Sequence, residues 1–407
     1  MTSRVPKGDA LYERALRTIP WGTQTGSKRP AAELRGIAPP YIVRGKGCRI
    51  WDLDENEYID YKMACGPIIL GHAYDRVNAA AMAQMASGVV HSAAHPVEVE
   101  LAEELTRTVP CAEMVRFLKS GAEVTSAAVR IARAHTGREK VISSGYHGWH
   151  DWSLPGTKGV PAALHELTVS VPWEAGKLEE ALERHRGQVA CFILSLPYDR
   201  TEEEIRDFLK AARALTTREG VLLVYDEIVT GFRLAMGGAQ ERFGVVPDLA
   251  AFSKAMANGF PIGAVTGRRD VMAAWEGVSI SSTFGGEAFS MAAALATVAE
   301  LREKRVHDHL WKVGTRLMNG INAMGSDLGL GIRAEGLAPV FSVRFEGKDA
   351  EAGRRLSVAF QRELLTRGVM PYLVWYITYS HSEQDTERTL QVIREAMEEI
   401  KRETKNA

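Results

Sequence analysis

Lys254 ends the stretch Leu249-Ala250-Ala251-Phe252-Ser253-Lys254, an apolar run that delivers one amine. A second apolar run, Val221-Leu222-Leu223-Val224-Tyr225, delivers Asp226-Glu227. An amine and a carboxylate, each carried on the end of a buried strand, can converge on one ligand. The amine can form a Schiff base with a carbonyl, and the carboxylate can hold a ring nitrogen protonated. Pyridoxal phosphate needs that pair, so the spacing points to this cofactor. Taken singly, the two residues say less: an acid after a strand is commonly a cap, and a lone lysine is commonly a solvated charge.

Two further segments suit the same ligand. Ser120-Gly121-Ala122-Glu123 opens a helical stretch that stops before Gly137, with the Ser and Glu of a capping box. That pattern reads either as a well-capped helix or as an anion site, where the amides of Gly121 and Ala122 and the helix dipole meet a phosphate. Tyr146-His147-Gly148 stands in the loop Ser144-Gly145-Tyr146-His147-Gly148-Trp149-His150-Asp151. Its aromatic ring can stack on a pyridine or serve as loop packing. His147, His150 and Asp151 do not form a recognisable metal-ligand frame, so no metal is expected.

The elements that must position these groups alternate. Val97–Thr108, Ala122–His135 and Glu202–Thr217 have helical periodicity, while Lys140–Ile142, Val189–Leu194 and Val221–Tyr225 read as short buried strands. A helix is expected over Asp9–Thr18, and a small hairpin over Cys48–Tyr61 turning at Asp54-Glu55-Asn56. From about Leu301 onward, long amphipathic helices mix with strands such as Val340–Val343. The fold expected is α/β, with a large domain on a mostly parallel sheet and a smaller α+β domain. Residues 1–65 and 306–407 are expected to form the small domain, and 66–305 the large one.

Composition narrows the function classes. The chain has 407 residues, 45% of them hydrophobic, enough for a large core divided between domains. A formal charge of −1 without a basic tract gives no reason to expect nucleic acid as a partner. Cys48, Cys65, Cys111 and Cys191 are scattered, as reduced thiols would be. The amino terminus lacks a signal-peptide core, and no apolar run approaches the roughly 20 residues that cross a bilayer. A cytoplasmic protein without a membrane partner is expected.

These residues also carry a family resemblance. The chain resembles the class III pyridoxal-phosphate aminotransferases, and is most similar to their glutamate-1-semialdehyde aminomutase branch. The matching stretches run in family order: Ile69-Leu70-Gly71-His72, Met114 to Lys140, Tyr146-His147-Gly148, Asp226 to Arg233, Pro247-Asp248, Ser253 to Gly259, Ser282 to Glu287 and Ser380 to Asp385. The resemblance implies a fold-type I homodimer with shared active sites, acting on small-molecule amines and carbonyls. It implies that Lys254 forms the Schiff base, and that Ser120, Gly121 and Ala122 take the phosphate. Tyr146 would stack on the ring, with His147 also a cofactor contact. Asp226 would pair with the ring nitrogen, Ile228 would cover the opposite face, and Thr283 would reach the phosphate from the second subunit. In the loop Ile19–Arg29, Thr25, Lys28 and Arg29 stand where an aminomutase carries substrate-binding groups, which implies an anionic substrate.

The departures concern the substrate side. Where the family carries Glu-Pro, this chain has Ser195-Leu196-Pro197-Tyr198, before a shortened loop to Thr201. Lys119 replaces an Asn, and Met370–Tyr376 is shorter than its aminomutase counterpart. An aminotransferase that passes an amino group from a donor to a keto or aldehyde acceptor is therefore expected. Aminomutation, or racemisation and epimerisation, are the alternatives on the same scaffold. A dinucleotide-binding dehydrogenase would need G-x-G-x-x-G after an early strand, and no such segment opens a βαβ unit.

Overall fold

The computed structural model describes residues 3–406. The chain forms two compact units, one from Met1–Tyr74 with Asp308–Ala407 and the other from Asp75–His307. In chain order, the first segment carries β1 (Ile42–Lys46), β2 (Arg49–Asp52) and β3 (Glu57–Asp60). The middle unit carries β4 (Met114–Leu118), β5 (Lys140–Ser144), β6 (Thr168–Ser170), β7 (Val189–Leu194), β8 (Leu222–Asp226), β9 (Leu249–Phe252) and β10 (Gly263–Gly267). The last segment carries β11 (Ile332–Leu337), β12 (Val340–Phe345), β13 (Val369–Met370) and β14 (Val374–Tyr376).

In the middle unit the seven strands form one sheet in the order β4-β10-β9-β8-β7-β5-β6. β6, β5, β7, β8 and β9 pair in parallel, while β10 runs antiparallel to both β4 and β9. The fold is therefore α/β with a mostly parallel central sheet, as expected from the sequence. β7, β8, β9 and β10 are buried at every position, as strands covered on both faces must be. The helix Gly121–Thr136 lays Val124, Ala128 and Ile131 into a cluster with Val141, Cys191, Val224, Ala251 and Val265 of the sheet.

Register decides what meets at the strand ends. Ser144 lies opposite Leu194, Leu194 opposite Tyr225, and Asp226 opposite Ala251. The segments that begin with Gly145, Ser195, Glu227 and Ser253 thus leave the sheet at one edge, the place where open α/β sheets bind ligands. The strand expected over Val221–Tyr225 is shifted by one residue. Pairing with Ala251 draws Asp226 into β8 and leaves Val221 outside it.

In the other unit, β1, β2 and β3 form an antiparallel meander that β13 extends in parallel, and β11, β12 and β14 form a second, antiparallel sheet. Glu55 takes a φ of 68° in the expected turn between β2 and β3. The helix expected over Asp9–Thr18 runs over Pro6–Ala15 instead. Pro6 suits the first turn, where its missing N–H costs nothing, and Pro20 follows the turn that closes the helix. Residues 66–74 belong with this unit: Tyr379 donates its amide to Ile69 O at 2.8 Å, and His72 bonds Asp60 at 2.9 Å. No described helix is long and apolar enough to cross a membrane.

Candidate active site

Asp226 ends β8 with 6% of its surface exposed. Its two oxygens are separately engaged: Oδ1 accepts from the Ile228 amide at 3.0 Å, and Oδ2 lies 2.8 Å from His147 Nδ1. The tight turn after the strand brings the Ile228 amide back onto the carboxylate and sets its rotamer. His147 is itself 2% exposed and stacks against Trp152 at 6.1 Å between centroids. His147 Nδ1 is best read as the donor, since the carboxylate can only accept. Its Nε2 is buried and without a partner among the described residues.

Lys254 follows β9 and is half-buried, at the start of the short 3-10 turn Lys254–Ala257. Its backbone has a φ of 37°, in the left-handed region that a side chain disfavours. Such a residue stores about 1–3 kcal/mol of strain, which sites of chemistry commonly hold. Ser253 anchors the preceding position by donating to Ile262 O at 2.7 Å.

The helix Gly121–Thr136 starts with the expected capping box. Ser120 Oγ accepts from the Glu123 amide at 3.3 Å, and Glu123 Oε2 accepts from the Ser120 amide at 2.7 Å. Gly137 ends the helix at φ 65°. The amides of Gly121 and Ala122 have no acceptor among the described residues. They remain aimed outward with the helix dipole behind them, which suits an anion. The loop of Tyr146 lies close over this start. Thr125 Oγ1 donates to His147 O at 2.7 Å, and a Cβ on Gly148 would come within 2.6 Å of Ala122 Cβ.

These groups line one cavity of about 540 Å³: Ser120, Gly121, Ala122, Tyr146, His147, Asp226, Ile228 and Lys254 all reach it. Tyr146 is 66% exposed, leaving a ring face open. A Cβ on Gly121 would sit 3.2 Å from Ile228 Cγ2, so a larger residue there would close the gap between the helix start and Ile228. A flat ring with a phosphate arm fits this donor set. The amides can take the phosphate, Tyr146 and Ile228 can cover ring faces, Asp226 can take the ring nitrogen, and Lys254 can bond the carbonyl carbon.

The remaining expected site residues lie elsewhere. Thr283 is exposed, and its neighbours Ser282 and Gly285 line a separate cavity of about 500 Å³. Thr25, Lys28 and Arg29 belong to the other unit and are all exposed. Thr25 Oγ1 lies 3.1 Å from Ser27 Oγ. Burial, and to a lesser degree the charge of Lys28, hold the Lys62 ammonium below its ordinary value. His150 bonds Ser126 Oγ at 2.6 Å. Lys119 forms an ion pair with Glu287 at 2.6 Å, and Glu287 caps the helix Ala288–Glu303 through the Ser290 amide. The Asn-to-Lys departure thus ties two helix starts together.

Sequence reasoning did not find Trp149 and Trp173 on the cavity wall, nor the burial of Glu227. The signal for Trp173 was its place just beyond a short strand, in a segment not read as one. Glu227 points away from the cavity, accepting from the Ala239 amide at 2.9 Å, the Gln240 amide at 3.1 Å and the Thr230 hydroxyl. Burial pushes its carboxyl up to about 7, against the lowering effect of those donors.

Comparison with known proteins bears on this geometry. The family model for class-III aminotransferases matches residues 34–185 and 203–394. The 3-aminobutyryl-CoA aminotransferase of Cloacimonas acidaminovorans is 32% identical, the alignment covering 98% of each chain. The glutamate-1-semialdehyde 2,1-aminomutase of Aquifex aeolicus is 33% identical over 97% of this chain and 100% of its own. Among solved structures, the PLP internal aldimine form of FumI protein from Sphingopyxis sp. MTA144 superposes with a TM-score of 0.91 at 30% identity, covering 98% of this chain and 97% of that one. The chain belongs to the class-III aminotransferase family and is a pyridoxal-phosphate-dependent aminotransferase.

Proposed function

We propose that the enzyme moves an amino group between two separate small molecules, an amine donor and a keto or aldehyde acceptor, with Lys254 as the residue that bonds the cofactor and moves the proton. The observation that carries this reading is the arrangement of β8 and β9. Their parallel register puts a carboxylate, pinned through both oxygens, at one strand end and a strained lysine beyond the next. When bound, pyridoxal phosphate supplies an electron sink for the carbon that carries the amine. Asp226 would hold the ring nitrogen protonated, and His147 would hold Asp226. The Gly121 and Ala122 amides with Ser120 would hold the phosphate. Tyr146 and Ile228 would keep the ring flat between them and exclude water from its faces. Lys254 Nζ would take the proton from the amine-bearing carbon and hand it to the cofactor's former carbonyl carbon, on the far side of the amino nitrogen.

Transfer between molecules, rather than within one, is supported by the departures at Ser195–Tyr198 and in Met370–Tyr376, which alter the substrate side while leaving the cofactor groups in place. Thr25, Lys28 and Arg29 are proposed to meet an anionic group of one substrate, on the strength of the loop resemblance. We infer a homodimer in the cytoplasm, with Thr283 reaching the second subunit's phosphate. Exposed Val99, Met114 and Phe284, near the cavity that Ser282 and Gly285 line, support an interface there. Sedimentation that finds a fully active monomer would remove the dimer.

The reaction type is tested by giving the loaded enzyme an amine donor and no acceptor. One keto product per site should be released, and no more until an acceptor is added. Continued conversion of the donor into an isomer or its mirror image would replace this reading with aminomutation or racemisation.

A further inference from the structure

The groups assigned to the cofactor account for only part of the cavity wall. The rest is made largely by Trp149, Trp173, Leu196, Pro197, Tyr198 and Val229. Among the described residues on the wall, Asp226, His147 and Lys254 are the side chains that carry or readily gain charge, and the first two are bonded to each other at 2.8 Å. An ionised substituent pressed against the remaining wall would lose water and gain no counter-charge.

The aromatic part of this wall is held in place. The Trp173 indole donates to Ser195 O at 3.2 Å, and its ring lies 4.2 Å from Phe208 between centroids. Phe208 in turn meets Phe192 of β7 edge-on at 6.3 Å. Ser195 donates its amide to Ser144 O at 3.0 Å, which ties the loop to the end of β5. A file of rings therefore runs from the core to the cavity, with Tyr198 on the same loop as Ser195. Rings positioned beforehand bind a partner at little cost in ordering.

We propose that one of the two substrates carries an aromatic or similarly bulky apolar group on the amine-bearing carbon, and that Trp173 and Tyr198 select it. This inference rests on the transaminase reading above. The departure from Glu-Pro to Ser195-Leu196-Pro197-Tyr198 removes a carboxylate from the substrate side and puts a ring on it. An aryl group meets Trp173 and Tyr198 through offset or edge contacts, which a straight anionic chain cannot make.

The experiment follows keto-product release by the loaded enzyme from 1-phenylethylamine, 4-phenylbutan-2-amine, 2-aminobutane and glutamate. The arylalkylamines should react at least about tenfold faster, by kcat/KM, than 2-aminobutane, with glutamate as the anionic reference. Tyr198→Ala and Trp173→Leu should each cut the aryl-to-alkyl ratio about tenfold, and Tyr198→Phe should preserve it. Calorimetric binding of acetophenone, read without turnover, should weaken in the same two variants and hold in Tyr198→Phe. 2-Aminobutane reacting as fast as the aryl amines, or an aryl-to-alkyl ratio unmoved by both variants, overturns this inference and leaves the transaminase standing. Failure of both arylalkylamines to release a keto product likewise overturns this inference, whereas the transaminase reading falls only if a donor is converted to its isomer or mirror image without acceptor.

Discussion

Asp226 and Tyr198 face the same cavity but are held by different means. Asp226 is a strand residue, buried, with each carboxylate oxygen bonded to a group that is itself fixed. Tyr198 is half-buried on the loop between β7 and the helix Glu202–Arg218. Moving Asp226 would break the pairing of β8 with β9; changing Tyr198 disturbs no ladder. With the roles proposed above, the chemistry is built into the sheet, where register resists change, and selection into a loop that can vary around it. Chains about one-third identical to this one are named for an aminotransferase and for an aminomutase, and both match it nearly end to end.

The contrast can be broken most sharply at Lys254. Lys254→Ala should lower turnover by more than about 10³-fold, because covalent bonding and proton movement are lost together. Alanine keeps a Cβ at the same positive φ, so the local strain persists and the thermal midpoint of the cofactor-free protein should stay close to wild type. Borohydride reduction of the loaded wild type, followed by peptide mapping, should place the cofactor on Lys254. A label on a different lysine would reject the assignment.

Asp226→Asn should have the next largest effect. Asp226 accepts at both oxygens, from His147 and from the Ile228 amide. An asparagine can accept at only one, so it keeps the Ile228 amide only by turning its amino group to His147, which must then accept at Nδ1, and it offers no charge to a ring nitrogen. Removal of the proton from the amine-bearing carbon should slow by about 10²–10³-fold, and cofactor affinity should fall. His147→Phe, which frees Asp226 on one side and leaves its charge, should cost about tenfold. Near-normal rates in Asp226→Asn would reduce this residue to a structural strand cap.

How far the sequence could be read follows the same division. The runs Val189–Leu194 and Leu249–Phe252 are uninterrupted and apolar, and both are strands at those boundaries. The ends of the runs Val221–Tyr225 and Leu249–Phe252 expose Asp226 and Lys254 as the unusual residues. The capping box at Ser120 was legible because it is a local bond pattern. β10 was not: Gly263 and Gly267 weaken any strand signal, yet a Cβ on Gly267 would meet Leu249 Cδ2 at 2.4 Å. That glycine reflects a close approach between strands that no local pattern records. The role of His147 was hidden for a similar reason. Its partner, Asp226, is remote in sequence and comes near only through the order of strands in the sheet. Trp173 lay outside reach because β6 is three residues long and gives no periodicity.

Glu227 sharpens the comparison within two adjacent residues, with the smallest effect. Asp226 faces the cavity, while Glu227 turns into the unit and holds the segment around Ala239 and Gln240. Its carboxyl is raised from 4.5 to about 7, burial being the largest cause. Between those values the folded protein keeps a proton that the unfolded chain has released. The stability tied to this group is thus complete below about pH 4.5 and is lost as pH climbs through about 7. Integrated over that window, the loss is at most about 3 kcal/mol. Glu227→Gln carries no proton to release, but its amino group must face one of the two backbone donors. The variant should therefore be less stable than wild type at pH 5, and the gap should narrow or reverse by pH 8. Denaturant unfolding at several pH values measures this directly. Two curves that run parallel from pH 5 to 8 would mean that Glu227 is ionised throughout, and that the turn after Asp226 rests on a buried charge rather than on a neutral acid.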